Sequence, residues 1–407
     1  MQQFANFEQD IYNLTAHGVK KATERTTSYN TGDYPDGLVM SSDPSKSHIP
    51  AEIITVKDVK TLKELCGVSN TMARNVIADA SRIPPNLNTL KEAITDPFHP
   101  HICNAMSEYV FGDSTKVDSW EGPINDLRFP MQVSIFTADT INVQPGKPLK
   151  LEGTDEKPIA LVVDKITVES GGQIVTKGPG KVSSKEAISA DPTTPSTVTL
   201  LSIGGDGGDG GVGGNGSDAG PGSTGPDASK NGKHGCNDAG AGGKGGDGTG
   251  ATKGGDGGDG GEGGIINFSF PVMEGNFTVG SIGGNGGDGG RGGNGGNGGP
   301  GGPGGDSCRT CGKGAQGPGG NGGDAGDGGL AGNGGNGQKV YINYNSGSPK
   351  FQLSPQKANG GKGGSAGTPG KYGTGNPNGK PGASGKSQDG GKGGTPGQVI
   401  INGSPIS

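Results

Sequence analysis

GGNGGDGGRGGNGGNGGPGGPGG, residues Gly283 to Gly305, contains no side chain that could enter a hydrophobic core, and two of every three positions are glycine. Three structures compete for such a repeat. Collagen needs one glycine per triplet and proline-rich partners in three wound chains, whereas here glycine takes two positions and proline is scattered. Disorder does not explain a triplet phase kept over so many residues. Polyproline II has three residues per turn, so a Gly-Gly-X repeat becomes a rod with two glycine ridges and one side-chain ridge. The bare ridges let rods approach closely enough for N–H to O=C bonds and Cα–H to O contacts between neighbours. A lone rod would not form, because ordering each residue costs about 1–2 kcal/mol, and glycine loses more freedom than other residues. A cooperative bundle would form. The X ridge, with Asp206 and Asp209 on one leg and Asn285, Asp288, Arg291, Asn294 and Asn297 on another, is expected to face solvent.

Most of the 91 glycines follow Leu201. Apolar segments recur among them: TVTLLSI near Thr197, IINFSFPVMEGNFTVGSI from Ile265, KVYINYNSGSPKFQL from Lys339 and QVIING from Gln398. Between them lie three glycine-rich excursions, Gly204 to Gly264, Gly283 to Gly337 and Asn359 to Gly397, each beginning and ending at a β-like segment. Each must go out and come back, giving six rods on a β base. At about 3.1 Å per residue the legs are roughly 40–70 Å long. The triplet breaks at Ser217 to Gly240, Asp306 to Gln316 and Lys371 to Gln388, which read as tip loops.

GGDGGDGGVGGNG, GGDGGDGGEGG and GGNGGDGGRGGNGGNGG resemble the glycine-rich polyproline-II bundles of the snow-flea antifreeze proteins and of the tip adhesins on phage long tail fibres. For the adhesins, the resemblance implies rods carrying variable loops that bind a bacterial surface receptor, with another part attached to the fibre. It covers roughly Gly204 to Gly397 and lies in repeat type.

The rest of the chain reads differently. Phe4, Phe7, Ile11 and Leu14 have helical spacing, and Val56 to Ser81 and Leu90 to Val110 follow suit, so residues 1–128 are expected to form a mostly helical attachment domain. Within it, LKELCGVSNTMARNVI (Leu62 to Ile77) has the form of a helix-turn-helix, with Gly67 in the turn and Ser69 capping the second helix. Acidic residues outnumber basic ones over 1–128, which favours ordinary helix packing over DNA binding. Residues 129–203 alternate in short β-branched runs such as VSIF, IALVV and DKITVESGGQIVTKG, an all-β connector built as a sandwich or as solenoid rungs. The fold class expected is therefore a helical N-terminal domain, a β connector and, over 204–407, a polyproline-II bundle with β segments.

His234, Cys236, Cys308 and Cys311 occur as H-x-C and C-x-x-C in two expected tips. They would clamp those tips through a disulfide, hold zinc as a Cys3His set, or remain free thiols. On a regular rod Cys308 and Cys311 would lie about 9 Å apart, so they require a turn. Apart from this possible zinc, no cofactor is implied. Calcium-binding nonapeptide repeats need an apolar position that is absent here. The GxGxxG matches lack a strand-to-helix context, and no paired-carboxylate or Ser-His-Asp pattern stands out.

The net charge of −6 disfavours nucleic acid as partner. No run approaches the eighteen or so apolar residues of a membrane span, and the N-terminus lacks a signal-peptide pattern. The function expected is non-enzymatic: an extracellular or surface-associated adhesin or assembly subunit, oligomeric, engaging a receptor or glycan through Lys233, His234, Arg309, Tyr372, Asn376, Asn378 and Lys380 at the tips. The alternatives are a self-assembling filament or coat subunit and an ice-binding protein.

Overall fold

The computed structural model describes residues 3–74, 83–87, 90, 94–190, 198–232 and 235–406. Strands take up 25% of the chain and helices 14%, which overturns the expected mostly helical N-terminal domain. Among the described residues, 1–128 contribute five short α-helices, α1 (Phe7–Ala16), α2 (Val59–Cys66), α3 (Asn70–Ala73), α4 (Pro100–Phe111) and α5 (Glu121–Arg128). The same segment supplies β1 (Tyr29–Asn30), β2 (Leu38–Ser41) and β3 (Glu52–Val56) to a fifteen-stranded sheet that continues across residues 128 and 203. Helical periodicity was there to be read, but the short strands between turns gave too few residues for an alternating pattern.

The sheet is a stack of parallel rungs, each with a strand on either side of a common core. One side runs through β4 (Met131–Val143), β6 (Ile159–Val168), β8 (Gly180–Ser189), β12 (Ile266–Ser269), β14 (Val340–Asn343) and β16 (Val399–Ile401). The other runs through β2, β5 (Leu149–Glu152), β7 (Ile174–Lys177), β9 (Leu200–Ile203), β13 (Val272–Ile282) and β15 (Lys350–Leu353). Register stacks like on like: Phe136, Leu161, Val182, Phe268 and Ile342 form one buried column. Leu38, Leu149, Ile174, Leu200 and Val279 form the facing one. A strand buried on both faces reads as a continuous apolar run, which explains IALVV in β6.

The helices cover the outside of the first side, in a second core that includes Leu62, Ile102, Trp120, Ile135, Val162 and Tyr341. Asp58 starts α2 by accepting the Thr61 N–H at 2.7 Å, and Gly67 ends it where an added Cβ would stand 2.4 Å from Val110 O. Asn267 Nδ2 donates to Gly67 O at 2.6 Å, fastening that helix end to the sheet. Asp10 of α1 accepts from Lys181 Nζ (2.6 Å) and Ser183 Oγ (2.7 Å), with both charged side chains about one tenth exposed. The helix-turn-helix expectation gives way to this packing: α3 has a single turn, Met72 and Ala73 are buried, and Ser69 makes no side-chain cap bond. Residues 75–77 of that motif lie outside the described residues.

At one corner of the solenoid a rung passes from its second strand to the next rung's first. In the early rungs that corner is short, as at Gly178-Pro179 between β7 and β8. After β9, β13 and β15 it expands into the three glycine-rich excursions, rooted together by bonds such as Gly204 N–H to Ile282 O (3.0 Å) and Gly397 N–H to Ser281 O (2.8 Å).

Candidate functional site

The excursions form six legs in which each leg's bonds to a given neighbour recur at every third residue, the period of one turn per triplet. Around Asn285 every N–H has a different destination. Gly284 N–H donates to Gly261 O of the antiparallel neighbour (2.8 Å), and Gly286 N–H donates to Asn359 O of a parallel one (2.9 Å). Asn285 N–H donates to the side-chain Oδ1 of Asp206 (2.7 Å). The side-chain ridge therefore does more than face water, correcting the simpler expectation: its Asp and Asn oxygens cap the next parallel leg. The same bond joins Asp209 to Asp288, Asn215 to Asn294 and Asp218 to Asn297, always 79 residues apart. It recurs at a spacing of 74 from Asp247, Asp256, Asp259, Asn285 and Asp288, and at 59 from Asn321, Asp324 and Asp327.

Asp and Asn are the residues whose side-chain oxygen sits close enough to the backbone for this. Two prolines, which have no N–H, stand where no side-chain acceptor faces them: on the same spacings Pro300 opposes Pro221 and Pro318 opposes Lys244. The last two legs have no further leg to cap. There the X positions become Lys362, Ser365, Thr368 and Lys371 on one, and Lys380, Ala383, Lys386, Asp389 and Lys392 on the other.

The turns at the ends of the legs are shorter than the sequence breaks imply. Leg bonding continues through Gly225 and Ala228 and resumes at Gly240, leaving a hairpin of β10 (Ser229–Asn231) and β11 (Gly235–Asn237) as the first tip. Proline and serine at X positions interrupt the glycine pattern without interrupting the rod, so the sequence overstates the loop. The second tip is the turn at Cys308 to Cys311, whose two residues exchange backbone bonds of 3.1 and 3.3 Å. The third, near Lys371 to Asn378, ends lower: Gly301 N–H donates to Thr374 O and Gly319 N–H to Pro377 O.

The first two tips meet. Cys236 and Cys311 form a disulfide with Cα atoms 6.2 Å apart, and Cys308 Sγ lies with both sulfurs in one group in which all are within 4.8 Å. Hydrogen bonding from Thr310, first its backbone and then its hydroxyl 3.8 Å away, holds the Cys308 thiol below the usual range. Arg309, Tyr372, Asn376, Asn378 and Lys380 are all exposed; Asn378 Oδ1 accepts from Gly375 N–H at 2.9 Å, fixing the third tip. Lys380 N–H is bonded to Asn321 Oδ1, so its backbone belongs to a leg and only its side chain is displayed. Lys233 and His234 lie outside the described residues.

A cavity of about 430 Å³ lies at the bundle root between α2, α4 and the solenoid, with Leu62, Met106 and Phe111 on one side and Arg128, Asp155 and Glu262 on the other. Burial pushes the Asp155 carboxyl up, while Arg128 spends guanidinium N–H groups on the carbonyls of Pro97 and Asp155. Among the described residues no helix is long and apolar enough to cross a membrane. Comparison with protein-family models, curated proteins and solved structures finds no match to this chain.

Proposed function

We propose that the chain is a non-enzymatic surface adhesin or assembly subunit, acting outside the cell or at its surface, in which a stiff glycine-rich bundle presents tip loops to a receptor or glycan. The observation that carries this reading is the far end of the bundle. Two turns emerge there, and a third lower down, from legs whose N–H groups are tied to two or three neighbours, and the first two are linked through Cys236 and Cys311. A scaffold of that stiffness holds Arg309, Tyr372 and Asn376 in fixed relation, which lowers the ordering cost of binding.

The filament or coat reading has less support. Lys380, Ala383, Lys386 and Lys392 give a further leg no oxygen to bond to, leaving Asp389 as the one carboxylate on that stretch of the ridge, and the lysines would bury charge against such a leg, as they do on exposed sheet edges. Ice binding is likewise weaker, because the Asp and Asn side chains are engaged in holding the legs rather than forming a flat array of small groups.

The test is retention of the purified full chain on a panel of bacterial cells and on their isolated surface glycans. Combining Arg309→Ala, Tyr372→Ala and Asn376→Ala should abolish retention while the thermal melt stays put. Retention unchanged by that triple substitution, or absent on every surface tried, sinks the proposal.

A further inference from the structure

The three-sulfur group at the joined tips offers more than a staple. Cys236 sits mid-strand in a hairpin, opposite Lys230, and Cys308 and Cys311 sit at the two ends of a turn closed by mutual backbone bonds. The regular rod spacing that would keep a C-x-x-C pair apart is thus abolished, and the hairpin of a different excursion delivers the third sulfur. All three lie within 4.8 Å of one another. A tetrahedral site with Zn–S bonds of about 2.3 Å needs sulfurs about 3.8 Å apart, so after reduction the bonded pair Cys236 and Cys311 has to open by about 2 Å, while Cys308 has to close in by at most about 1 Å.

We propose that, once the Cys236–Cys311 disulfide is reduced, Cys236, Cys308 and Cys311 bind a thiophilic divalent cation, of which Zn²⁺ is the type, as three thiolates. The reduction is a two-electron step: an external dithiol gives up two electrons and two protons, becomes a disulfide, and leaves two thiols on the protein. With the thiol of Cys308 these make three ligands. Metal binding then displaces their protons to solvent, and a water or another donor completes the fourth position.

Features around the sulfurs fit this state. The Thr310 hydroxyl stands 3.8 Å from Cys308 Sγ, an outer partner of the kind that supports a bound thiolate. Lys230 beside the group offsets the net negative charge of three thiolates around a divalent ion. Cys308 itself has no role in the disulfide, yet stands in contact distance of it. Tips 1 and 2 would stay joined in both redox conditions, by a covalent bond where the surroundings are oxidising and by a metal where they are reducing. This inference needs no receptor and does not depend on the proposed function.

The experiment reduces the full-length chain with a phosphine, removes the phosphine under argon, and titrates with Co²⁺ and then Zn²⁺. The expected result is one Co²⁺ per chain with intense sulfur-to-metal charge-transfer bands, displaced by one Zn²⁺. Cys308→Ser should weaken Zn²⁺ at least about tenfold, the low end of what losing even an outer-shell partner costs, although it leaves the oxidised staple intact. Cys103→Ser, far from the tips, should change nothing. A reduced wild-type chain that shows no thiolate–Co²⁺ bands, or whose Zn²⁺ affinity is the same in Cys308→Ser, overturns the proposal. The oxidised form of each variant, compared by thermal melt, shows that the bundle itself has folded.

Discussion

The side-chain ladder makes its sharpest prediction at a place where it is interrupted. Asp288 and Asn294 donate their N–H groups to Asp209 and Asn215, each 79 residues earlier. Midway between them, Arg291 stands opposite Val212 on the same spacing, and its carbonyl accepts the Gly213 N–H at 2.8 Å, so the register is intact. Valine has no acceptor, and among the described residues the Arg291 N–H meets none. Val212→Asn should supply one. The net gain of a hydrogen bond is about 0.5–1.5 kcal/mol, and because Val212 is 75% exposed, losing its methyls gives back only a few tenths of a kcal/mol. Amide hydrogen exchange followed by NMR reads the site directly: in the parent, Arg291 should exchange faster than Asp288 and Asn294, and in Val212→Asn about 2- to 13-fold more slowly than before. Asp209→Ala should do the converse to Asp288. If Arg291 is already as protected as its two neighbours, or if the new asparagine leaves its exchange rate unchanged in a folded protein, the capping role of the ridge is wrong.

Other parts of the molecule yield further expectations. Gly290→Ala puts a Cβ 2.0 Å from Gly211 O, whereas at Gly208 nothing lies within 4 Å; urea melts should show a loss of about 1–3 kcal/mol for the first and a change within about 0.5 kcal/mol for the second. Asp10→Ala strands the Lys181 ammonium under α1 and should cost about 3–5 kcal/mol by denaturant unfolding, while Asp10→Leu combined with Lys181→Met should recover most of it. Burial pushes the Cys66 thiol up to about 12 from 9.0. Between those values the unfolded chain has released a proton that the folded chain keeps, so stability falls as pH rises above 9, by at most about 1.4 kcal/mol per pH unit. Cys66→Ala should flatten that decline, and parallel pH profiles for the two proteins would remove the assignment.

Legibility in the sequence followed the range of the interaction. The triplet phase of Gly283 to Gly305 is a local property and is read directly, as are the apolar segments that became β9, β12, β14 and β16. The change from Asp and Asn on the early legs to Lys on the last two was also in plain view, but its meaning was not, since nothing local says that an X side chain has a donor to satisfy. Helical spacing in residues 1–128 marked α1, α2 and α4 and hid β1 to β3, whose partners lie beyond residue 130. At the tips, the cysteine spacing marked Cys308 and Cys311 as a turn, while Ser217 to Asp227 looked like loop because a rod tolerates proline and serine at X.

What the sequence determines by itself is therefore conformation per residue. Glycine at two positions of three removes the Cβ atoms that would keep legs apart, and β-branched runs favour extended strands. What the tertiary structure decides is pairing. Which oxygen caps which N–H, at spacings of 79, 74 and 59, is set by the length of each excursion and by the common root the solenoid gives it. That Cys236 reaches Cys308 and Cys311 follows from legs on one register ending at one height. The physical reason is range: backbone sterics act within a turn, whereas contacts between residues tens of positions apart exist only once the rungs beneath them have stacked.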